Sequence, residues 1–274
     1  MKTLVGSVTD QAFVLRALQE HKVDVCFHLA GQAVAGLAED SPYDTLDTNI
    51  RGTYSILEAC KVAGTVQAVV VASSERAYGN QAASPYTEKS PLLGLEPYGA
   101  SKACADILTR CYYHSYALPT VVARTTNVYG PGDLNFTRLI PDCIRSVIRE
   151  ELFLVRGNPN TERDYLHVDD AVMGYVLLAE SASDPHVTGS AFNFATENLA
   201  SVLEITRRIA SVSGTHVNMQ TVNHVTSWDP PRRISSQRAR GVLAWQPHYD
   251  LDTGLKHTFD WYQRIFGRHH ELSR

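Results

Sequence analysis

The segment Val66–Gly79, VQAVVVASSERAYG, carries the strongest indication of the fold. It opens with a continuous apolar run, which is typical of a central parallel strand covered by helices on both faces. The run ends in three polar residues, Ser73, Ser74 and Glu75. Because ligands of parallel α/β sheets bind beyond the carboxyl ends of the strands, we expect these side chains at a functional edge.

The regions on either side of this segment continue the same alternation. Apolar runs at 23–29 and 120–124 flank it, and amphipathic stretches at 43–63 and 98–117 separate the three runs. The order strand, helix, strand, helix, strand predicts a Rossmann-like parallel α/β sheet. We also expect residues 1–6 to be the end of a strand.

The pattern changes near residue 134, which predicts two domains, 1–133 and a smaller α/β lobe at 134–274 with segments that return to the sheet. The lobe has shorter elements. Its predicted helices and strands lie at 136–150, 152–155, 169–180, 191–195, 201–213 and 251–266.

Composition excludes several classes of protein. The net charge of -4 provides no basic surface for nucleic acid or an anionic membrane, and no apolar run approaches the about 20 residues that span a bilayer. The five cysteines are odd in number and show no CxxC spacing, so we expect a reducing, cytoplasmic environment and no metal site.

Tyr98 and Lys102 lie four residues apart in PYGASK, where Pro97 is suited to the first turn of a helix. Side chains at this spacing share one helical face. Tyrosine has a pKa of about 10 in water, so it acts as a base near neutrality only beside a positive charge. We therefore interpret Tyr98 as a candidate base, Lys102 as its supporting cation, and Ser74 as a hydrogen-bonding partner of substrate.

Short motifs along the whole chain resemble the extended short-chain dehydrogenase/reductase family, specifically its nucleotide-sugar epimerases and dehydratases. The motifs are GSVTD (6–10), FHLAGQA (27–33), TNIRGTYSILEAC (48–60), SSERAYG (73–79), PYGASKACAD (97–106), ARTTNVYGPGD (123–133), RLIPD (138–142), RDYLHVDD (163–170) and GVLAWQP (241–247). Three segments, PYTEKSPL at 85–92, PYGASKACAD at 97–106 and NVYGPGDLNFTRLIPD at 127–142, are most similar to CDP-glucose 4,6-dehydratases and their relatives.

This resemblance implies an NAD-dependent enzyme that acts on a nucleotide sugar through a 4-keto intermediate and forms a homodimer. The residues implied to bind NAD in the first domain are Ser7, Val8, Ala30, Gly31, Asn49, Ser73, Tyr98, Lys102 and Thr125. In the substrate lobe it implies Asn127 at the diphosphate, Leu139 near the base, and Arg163 with Arg232 at phosphate. Tyr98 would take the C4 hydroxyl proton and Glu75 would protonate the departing C6 hydroxyl.

Two departures from the family pattern bear on this expectation. The family opens with a strand, a GxxGxxG turn and a helix, so a complete dinucleotide fold is expected to begin about 30 residues earlier. Well-known dehydratases place an acidic pair or Asp-Lys where this chain has Glu75 and Arg76. Because arginine does not deprotonate usefully, the base for C5 needs another identity.

Alternatives therefore remain open. The chain is a 4,6-dehydratase, a nucleotide-sugar 4-epimerase, or a truncated, non-catalytic nucleotide-binding relative. Structural interpretations also compete locally: Glu75 caps a loop or pairs with Arg76, His28 is a buried, hydrogen-bonded histidine, and Asp169 with Asp170 opens a helix.

Overall fold

The structure is a computed structural model that describes residues 2–82, 84–222 and 231–267. The strands are β1 (Val25–His28), β2 (Ala68–Ser74), β3 (Thr120–Thr125), β4 (Asn127–Tyr129), β5 (Phe153–Arg156), β6 (Glu162–His167), β7 (Ala191–Phe194), β8 (Leu199–Ser201) and β9 (Met219–Val222). The helices are α1 (Gln11–Glu20), α2 (Ala35–Asp40), α3 (Pro42–Leu46), α4 (Gly52–Ala63), α5 (Pro97–Tyr116), α6 (Leu139–Arg149), α7 (Val168–Glu180), α8 (Val202–Ser213), α9 (Gln237–Leu243) and α10 (Leu251–Phe266).

The chain divides into two compact units. The first comprises residues up to Thr125, Val172–Phe194 and Ile234–Gln246, and the second comprises Thr126–Ala171, Ala195–Arg233 and the chain from Pro247. Among the described residues, no helix is both long and apolar enough to cross a membrane.

The first unit contains a four-stranded sheet in the order β1-β2-β3-β7, and every pair in it is parallel. All of β3 and nearly all of β2 are buried, as their continuous apolar sequences require. Helices α1 and α4 pack on β2 through side chains such as Val14, Leu57 and Val69. The predicted parallel α/β sheet is therefore confirmed.

The predicted strand at residues 1–6 is wrong for the described residues 2–6, which form no strand. Its basis was an apolar, β-branched sequence, but Leu4 is 44% and Val5 is 94% exposed. A strand needs a neighbour for its backbone groups, and none pairs with this segment in the part of the chain that the structure describes. Helix α1 begins as expected, with the Asp10 carboxylate accepting the N–H of Phe13 at 3.0 Å.

The predicted helix at 43–63 consists of three consecutive segments. Helix α3 begins at Pro42, a π-helical turn occupies Asp47–Arg51, and α4 follows from Gly52. A π-helical turn inside a helix is often found at a functional site. Here it contains Asn49, whose side chain is buried.

The second unit contains short strands in two groups. One group has the order β4-β6-β8, with β4 parallel and β8 antiparallel to β6, and the other is the parallel pair β5-β9. Helices α6, α8 and α10 enclose an apolar core that includes Ile144, Ile205 and Leu255. The positions of these helices agree with the sequence-based expectations to within three residues at each end.

Candidate functional site

Three strands of the first unit end at the same edge of its sheet. The register pairs Ser73 with Arg124 and Ser74 with Thr125, so β2 and β3 end side by side. Strand β1 ends at His28, and Gly31 follows it three residues later. This is the edge at which parallel α/β sheets bind ligands.

Helix α5 brings the candidate base and its cation to this edge. Pro97 is its first residue, and a helical turn separates Tyr98 from Lys102. The Lys102 ammonium lies 5.9 Å from the centroid of the Tyr98 ring. Tyr98 is partly exposed, whereas Lys102 is buried. The arrangement therefore gives a phenol that solvent or a ligand reaches beside a cation that solvent does not.

The Lys102 ammonium has spare hydrogen-bonding capacity. Among the described residues its hydrogen-bond acceptor is the Ala72 carbonyl oxygen at 3.0 Å. An ammonium has three donor hydrogens, so two remain for a ligand. Burial lowers the pKa of Lys102 to about 8, which leaves the ammonium mostly protonated at neutral pH.

A hydrogen-bond network ties the π-helical turn to α5. The Asn49 amide donates to the Ser101 hydroxyl at 2.8 Å and to the Gln32 carbonyl oxygen at 3.0 Å, and it accepts the Gln32 N–H at 2.7 Å. Ser101 in turn donates to the Tyr98 carbonyl oxygen at 2.7 Å. Sequence reasoning missed Ser101 and Gln32, although Ser101 lies inside PYGASK. The network therefore holds the backbone of Tyr98 in place.

Gly31 provides the open space at this edge. A Cβ atom at this position would lie 2.8 Å from the Asn49 Oδ1 atom and 3.7 Å from the Lys102 Nζ atom. A side chain here would therefore clash with Asn49 and fill the space in front of the ammonium. The absence of a side chain leaves that space available to a ligand.

His28 is a structural residue, as its apolar strand predicted. The Thr53 hydroxyl donates to the Asn49 carbonyl oxygen at 2.6 Å, so it accepts from the His28 Nε2 atom, 3.1 Å away. Burial, and secondarily the charge of Lys102, lowers the pKa of His28 to about 4. The ring is neutral near pH 7, and it supports the π-helical turn.

The polar end of β2 leads into a short 3-10 helix, Glu75–Tyr78. Ser74 accepts the N–H of Arg76 at 3.2 Å and so caps this helix, while the Ser73 hydroxyl makes a long hydrogen bond of 3.4 Å to the Lys102 carbonyl oxygen. Glu75 is buried, with 3% of its surface exposed. Arg76 pairs with Glu96 at 3.2 Å, and this engagement agrees with the view that Arg76 is no base.

Tyr175 on α7 is a residue of this site that sequence reasoning missed. A hydrogen bond joins its side chain to Thr125 at the end of β3, and it lies near Tyr98. Burial raises the pKa of Tyr175 to about 12, so the phenol is neutral. No local sequence pattern distinguishes it from the apolar residues around it in AVMGYVLLAE.

The remaining residues expected at the cofactor are on the surface of the first unit. Ser7 is exposed and accepts the N–H of Thr9 at 3.2 Å. Val8 packs against Gly52, where an added Cβ would lie 2.9 Å from its methyl group. Ala30 is exposed after β1.

The residues expected at the substrate lie in the second unit. Asn127 is in β4 and donates to the Asp164 carbonyl oxygen at 3.1 Å, while Arg163 is in β6 and donates to the Glu162 carbonyl oxygen at 2.7 Å. Leu139 begins α6 and packs on the core. Arg232 is buried. The β4-β6 pairing thus places Asn127 and Arg163 on neighbouring strands.

Comparison with known proteins identifies the family. The sequence pattern of the family described as GDP-mannose 4,6 dehydratase matches residues 1–258. The chain belongs to the GDP-mannose 4,6 dehydratase family. This membership confirms the resemblance to nucleotide-sugar dehydratases and epimerases that the motifs indicated.

The relatives of this chain include both 4,6-dehydratases and a 4-epimerase. A CDP-glucose 4,6-dehydratase from Salmonella typhimurium is 27% identical over 96% of this chain and 77% of its own length. A UDP-glucose 4-epimerase from Mycolicibacterium smegmatis is 30% identical over 90% of this chain and 78% of its own. The chain spans 39% of the length of a trifunctional UDP-glucose 4,6-dehydratase from Arabidopsis thaliana, to which it is 29% identical.

A solved structure also matches this member of the GDP-mannose 4,6 dehydratase family. The crystal structure of a dTDP-glucose 4,6-dehydratase from Streptomyces venezuelae, with NAD bound, has a TM-score of 0.87 and 25% sequence identity. The match covers 96% of this chain and 80% of that one. The Rossmann-like fold is therefore shared with this dehydratase.

Proposed function

We propose that this protein is an NAD-dependent enzyme that converts a nucleotide sugar through a 4-keto intermediate, with 4,6-dehydration as the overall reaction. The observation that carries the proposal is the buried Lys102 ammonium, which lies one helical turn from Tyr98 and has donors to spare at the sheet edge. The dehydratases among the relatives support it.

The site suits a dinucleotide on two grounds. Lys102 has two donor hydrogens available for the paired hydroxyls of a ribose, and Gly31 leaves the space in front of them open. We place Ser7, Val8, Ala30, Gly31, Asn49, Ser73 and Thr125 around NAD, together with Tyr98 and Lys102. When bound, a nicotinamide cofactor takes up a hydride from the sugar and later returns it.

The chain's own residues handle the protons in this proposal. Tyr98, supported by the Lys102 charge, takes the proton of the C4 hydroxyl, and Ser74 hydrogen-bonds the substrate. A ketone at C4 acidifies the hydrogen at C5, so that a base can remove it. Buried Glu75 gives a proton to the C6 hydroxyl as it leaves, which makes water the net loss.

Substrate recognition belongs to the second unit in this proposal. Asn127 and Arg163, on neighbouring strands, bind the diphosphate, because amide and guanidinium groups donate to phosphate oxygens. Leu139 contacts the base, and Arg232 adds a further cation. The division of labour in this proposal is dinucleotide binding in the first unit and substrate binding in the second.

Product analysis tests the dehydratase. The purified chain, supplied with NAD, is incubated separately with CDP-, dTDP- and UDP-glucose, and the products are analysed by mass spectrometry. We expect one of these substrates to yield a 4-keto-6-deoxy product that has lost the mass of water. NAD binding without any turnover of nucleotide sugars would instead favour a non-catalytic, nucleotide-binding protein.

A 4-epimerase is the second candidate, and the ion pair of Arg76 with Glu96 favours it. An arginine held at 3.2 Å from a carboxylate offers no base for C5, so the 4-keto sugar would be reduced on its other face. A product of unchanged mass with inverted configuration at C4 would establish this outcome. In that case we expect Arg76→Lys to introduce dehydration, whereas the control Arg51→Lys, on the exposed pair with Asp47, should not.

We further propose a cytoplasmic homodimer. All five cysteines are free thiols, which suits a reducing compartment. Exposed apolar side chains on the helices between residues 42 and 116, including Tyr43 at 78% and Ile107 at 53%, offer a surface for a second copy. Light scattering of the wild type and of Ile107→Glu tests it: the dimer predicts that only the variant has the monomer mass.

A further inference from the structure

A cluster in the second unit combines two imidazoles and a carboxylate. His167 ends β6, Asp169 lies in the first turn of α7, and His257 lies on α10. One potential ligand atom from each lies within 4.8 Å of those of the other two. His167 and Asp169 are two residues apart in RDYLHVDD, but His257 lies on a distant segment, so no local spacing reveals the cluster.

The distances within the cluster suit a common cation. The Asp169 Oδ2 atom lies 3.7 Å from the His167 Nδ1 atom and 4.0 Å from the His257 Nδ1 atom. Two ligands of a tetrahedral zinc ion, each at about 2.1 Å from the metal, are about 3.4 Å apart. The side chains of Asp169 and His257 are 55% and 40% exposed, so both have room to rotate slightly and shorten the two distances to that value.

Two nitrogens of the cluster lack an ordinary partner. The His167 Nε2 and His257 Nδ1 atoms are buried and have no hydrogen-bond partner among the described residues. The His167 Nδ1 atom accepts the N–H of Asp169 at 3.2 Å, so the ring hydrogen is on Nε2, and a cation at Nδ1 would take the place of this hydrogen bond. A bound cation would accept the Nδ1 lone pairs of the two histidines and offset the negative charge of Asp169.

The neighbourhood holds the candidate ligands in place. The Tyr249 ring stacks on His167 with a centroid separation of 3.9 Å, and its side chain hydrogen-bonds with Asp169. Outer contacts of this kind orient the ligands of protein metal sites.

We propose that His167, Asp169 and His257 form a binding site for one divalent transition-metal ion of the zinc class. Imidazole and carboxylate ligands suit zinc, cobalt and nickel, whereas magnesium and calcium prefer all-oxygen sites. The bound ion would link the β6–α7 junction to α10 and so stabilise the second unit. The site is separate in sequence and chemistry from Tyr98 and Lys102.

Metal titration of the full chain tests this site. Protein stripped with a chelator is titrated with Zn²⁺ by calorimetry and with Co²⁺ by visible absorbance. We expect one ion per chain, and a melting temperature that rises when the ion is bound. His257→Gln and Asp169→Asn should each weaken binding at least about 100-fold, because even loss of an outer contact costs about 10- to 100-fold.

His216→Gln is the matched control, since His216 is an exposed histidine of the same unit outside the cluster. It should bind Zn²⁺ as the wild type does, and so should Tyr98→Phe, which separates this site from the proposed enzyme activity. Both cluster variants change partly exposed side chains, and circular dichroism checks that they fold. The site is refuted if the wild type shows no saturable binding, or if both cluster variants bind with unchanged affinity.

Discussion

The two units of the molecule bury charge in different ways. In the first, the Lys102 ammonium is buried with one acceptor, at 3.0 Å, in the part of the chain that the structure describes, and it lies at the ligand edge of the sheet. In the second, the buried Asp164 carboxylate accepts from the N–H groups of Thr196 and Glu197 and from the Thr196 hydroxyl. The difference shows that a charge whose partners all come from the protein serves structure, whereas one with spare donors is available for function.

Arg124 in the first unit differs from Lys102, because protein groups partner its charge. Breaking its ion pair should cause the largest loss of stability. Its guanidinium is buried and makes two hydrogen bonds to the buried Asp106 carboxylate, at 2.7 and 3.0 Å. Asp106→Asn would leave an uncompensated buried cation, so we expect a loss of about 3–5 kcal/mol in the free energy of unfolding. Asp47→Asn, which breaks the exposed pair with Arg51, is the control and should cost at most about 1 kcal/mol.

Urea denaturation of the two variants measures this contrast. Equal midpoints for Asp106→Asn and Asp47→Asn would contradict the structural role of the buried pair. A buried charge with a complete set of protein partners would then contribute no more to the free energy of unfolding than an exposed charge does.

Asp164→Asn tests the corresponding carboxylate of the second unit. An amide group in place of an oxygen would face N–H donors, so we expect a loss of about 1–3 kcal/mol. Thermal unfolding checks this, with Asp260→Asn, which alters an exposed pair with Lys256, as the control. If Asp164→Asn is as stable as the wild type, the N–H and O–H donors around this position do not need two acceptor oxygens.

Lys102→Met should affect ligand binding and not stability. Removal of a charged donor costs about 1.5–3 kcal/mol, which corresponds to NAD affinity lowered about 10- to 150-fold. Stability should hold, because the buried ammonium carries a desolvation cost that the variant lacks. Lys61→Met, on the surface beside Tyr116, is the control. If Lys102→Met is destabilised but binds NAD with unchanged affinity, the Lys102 charge serves the structure and not ligand binding.

The smallest effect concerns pH. Burial lowers the pKa of Lys102 from 10.5 to about 8, so in the ligand-free protein the ammonium loses its proton as pH rises through about 8. We expect NAD affinity to fall above that pH in the wild type. The pKa of this lysine is about 10.5 in the unfolded chain and about 8 in the folded one, so between these values the unfolded chain binds more protons. The contribution of Lys102 to the free energy of unfolding therefore rises as pH increases from about 8 to about 10.5. Fluorescence titration with NAD across this range checks the predicted affinity, and urea denaturation of wild type and Lys102→Met at both ends of the range checks the predicted stability.

Sequence reasoning succeeded where a local pattern decides the structure. The apolar runs at β2 and β3 and the spacing of Tyr98 and Lys102 located the sheet and the edge at which these residues meet. Four strands of the second unit were missed. Strands β4, β8 and β9 have at most four residues, too few for a clear alternation, and β6 opens with the charged residues Glu162, Arg163 and Asp164. Tyr175 and the cluster around His167 depend on contacts between distant segments, and only the folded chain reveals them.

The most direct test of the central claim is the turnover of nucleotide sugar by Tyr98→Phe, which removes one oxygen from the site. A general base contributes about 10²- to 10⁴-fold to rate, so we predict a loss of that size at unchanged melting temperature and NAD affinity. Tyr54→Phe, on another partly exposed tyrosine of the first unit, should retain full activity. Undiminished turnover by Tyr98→Phe would contradict the assignment of this phenol as the base.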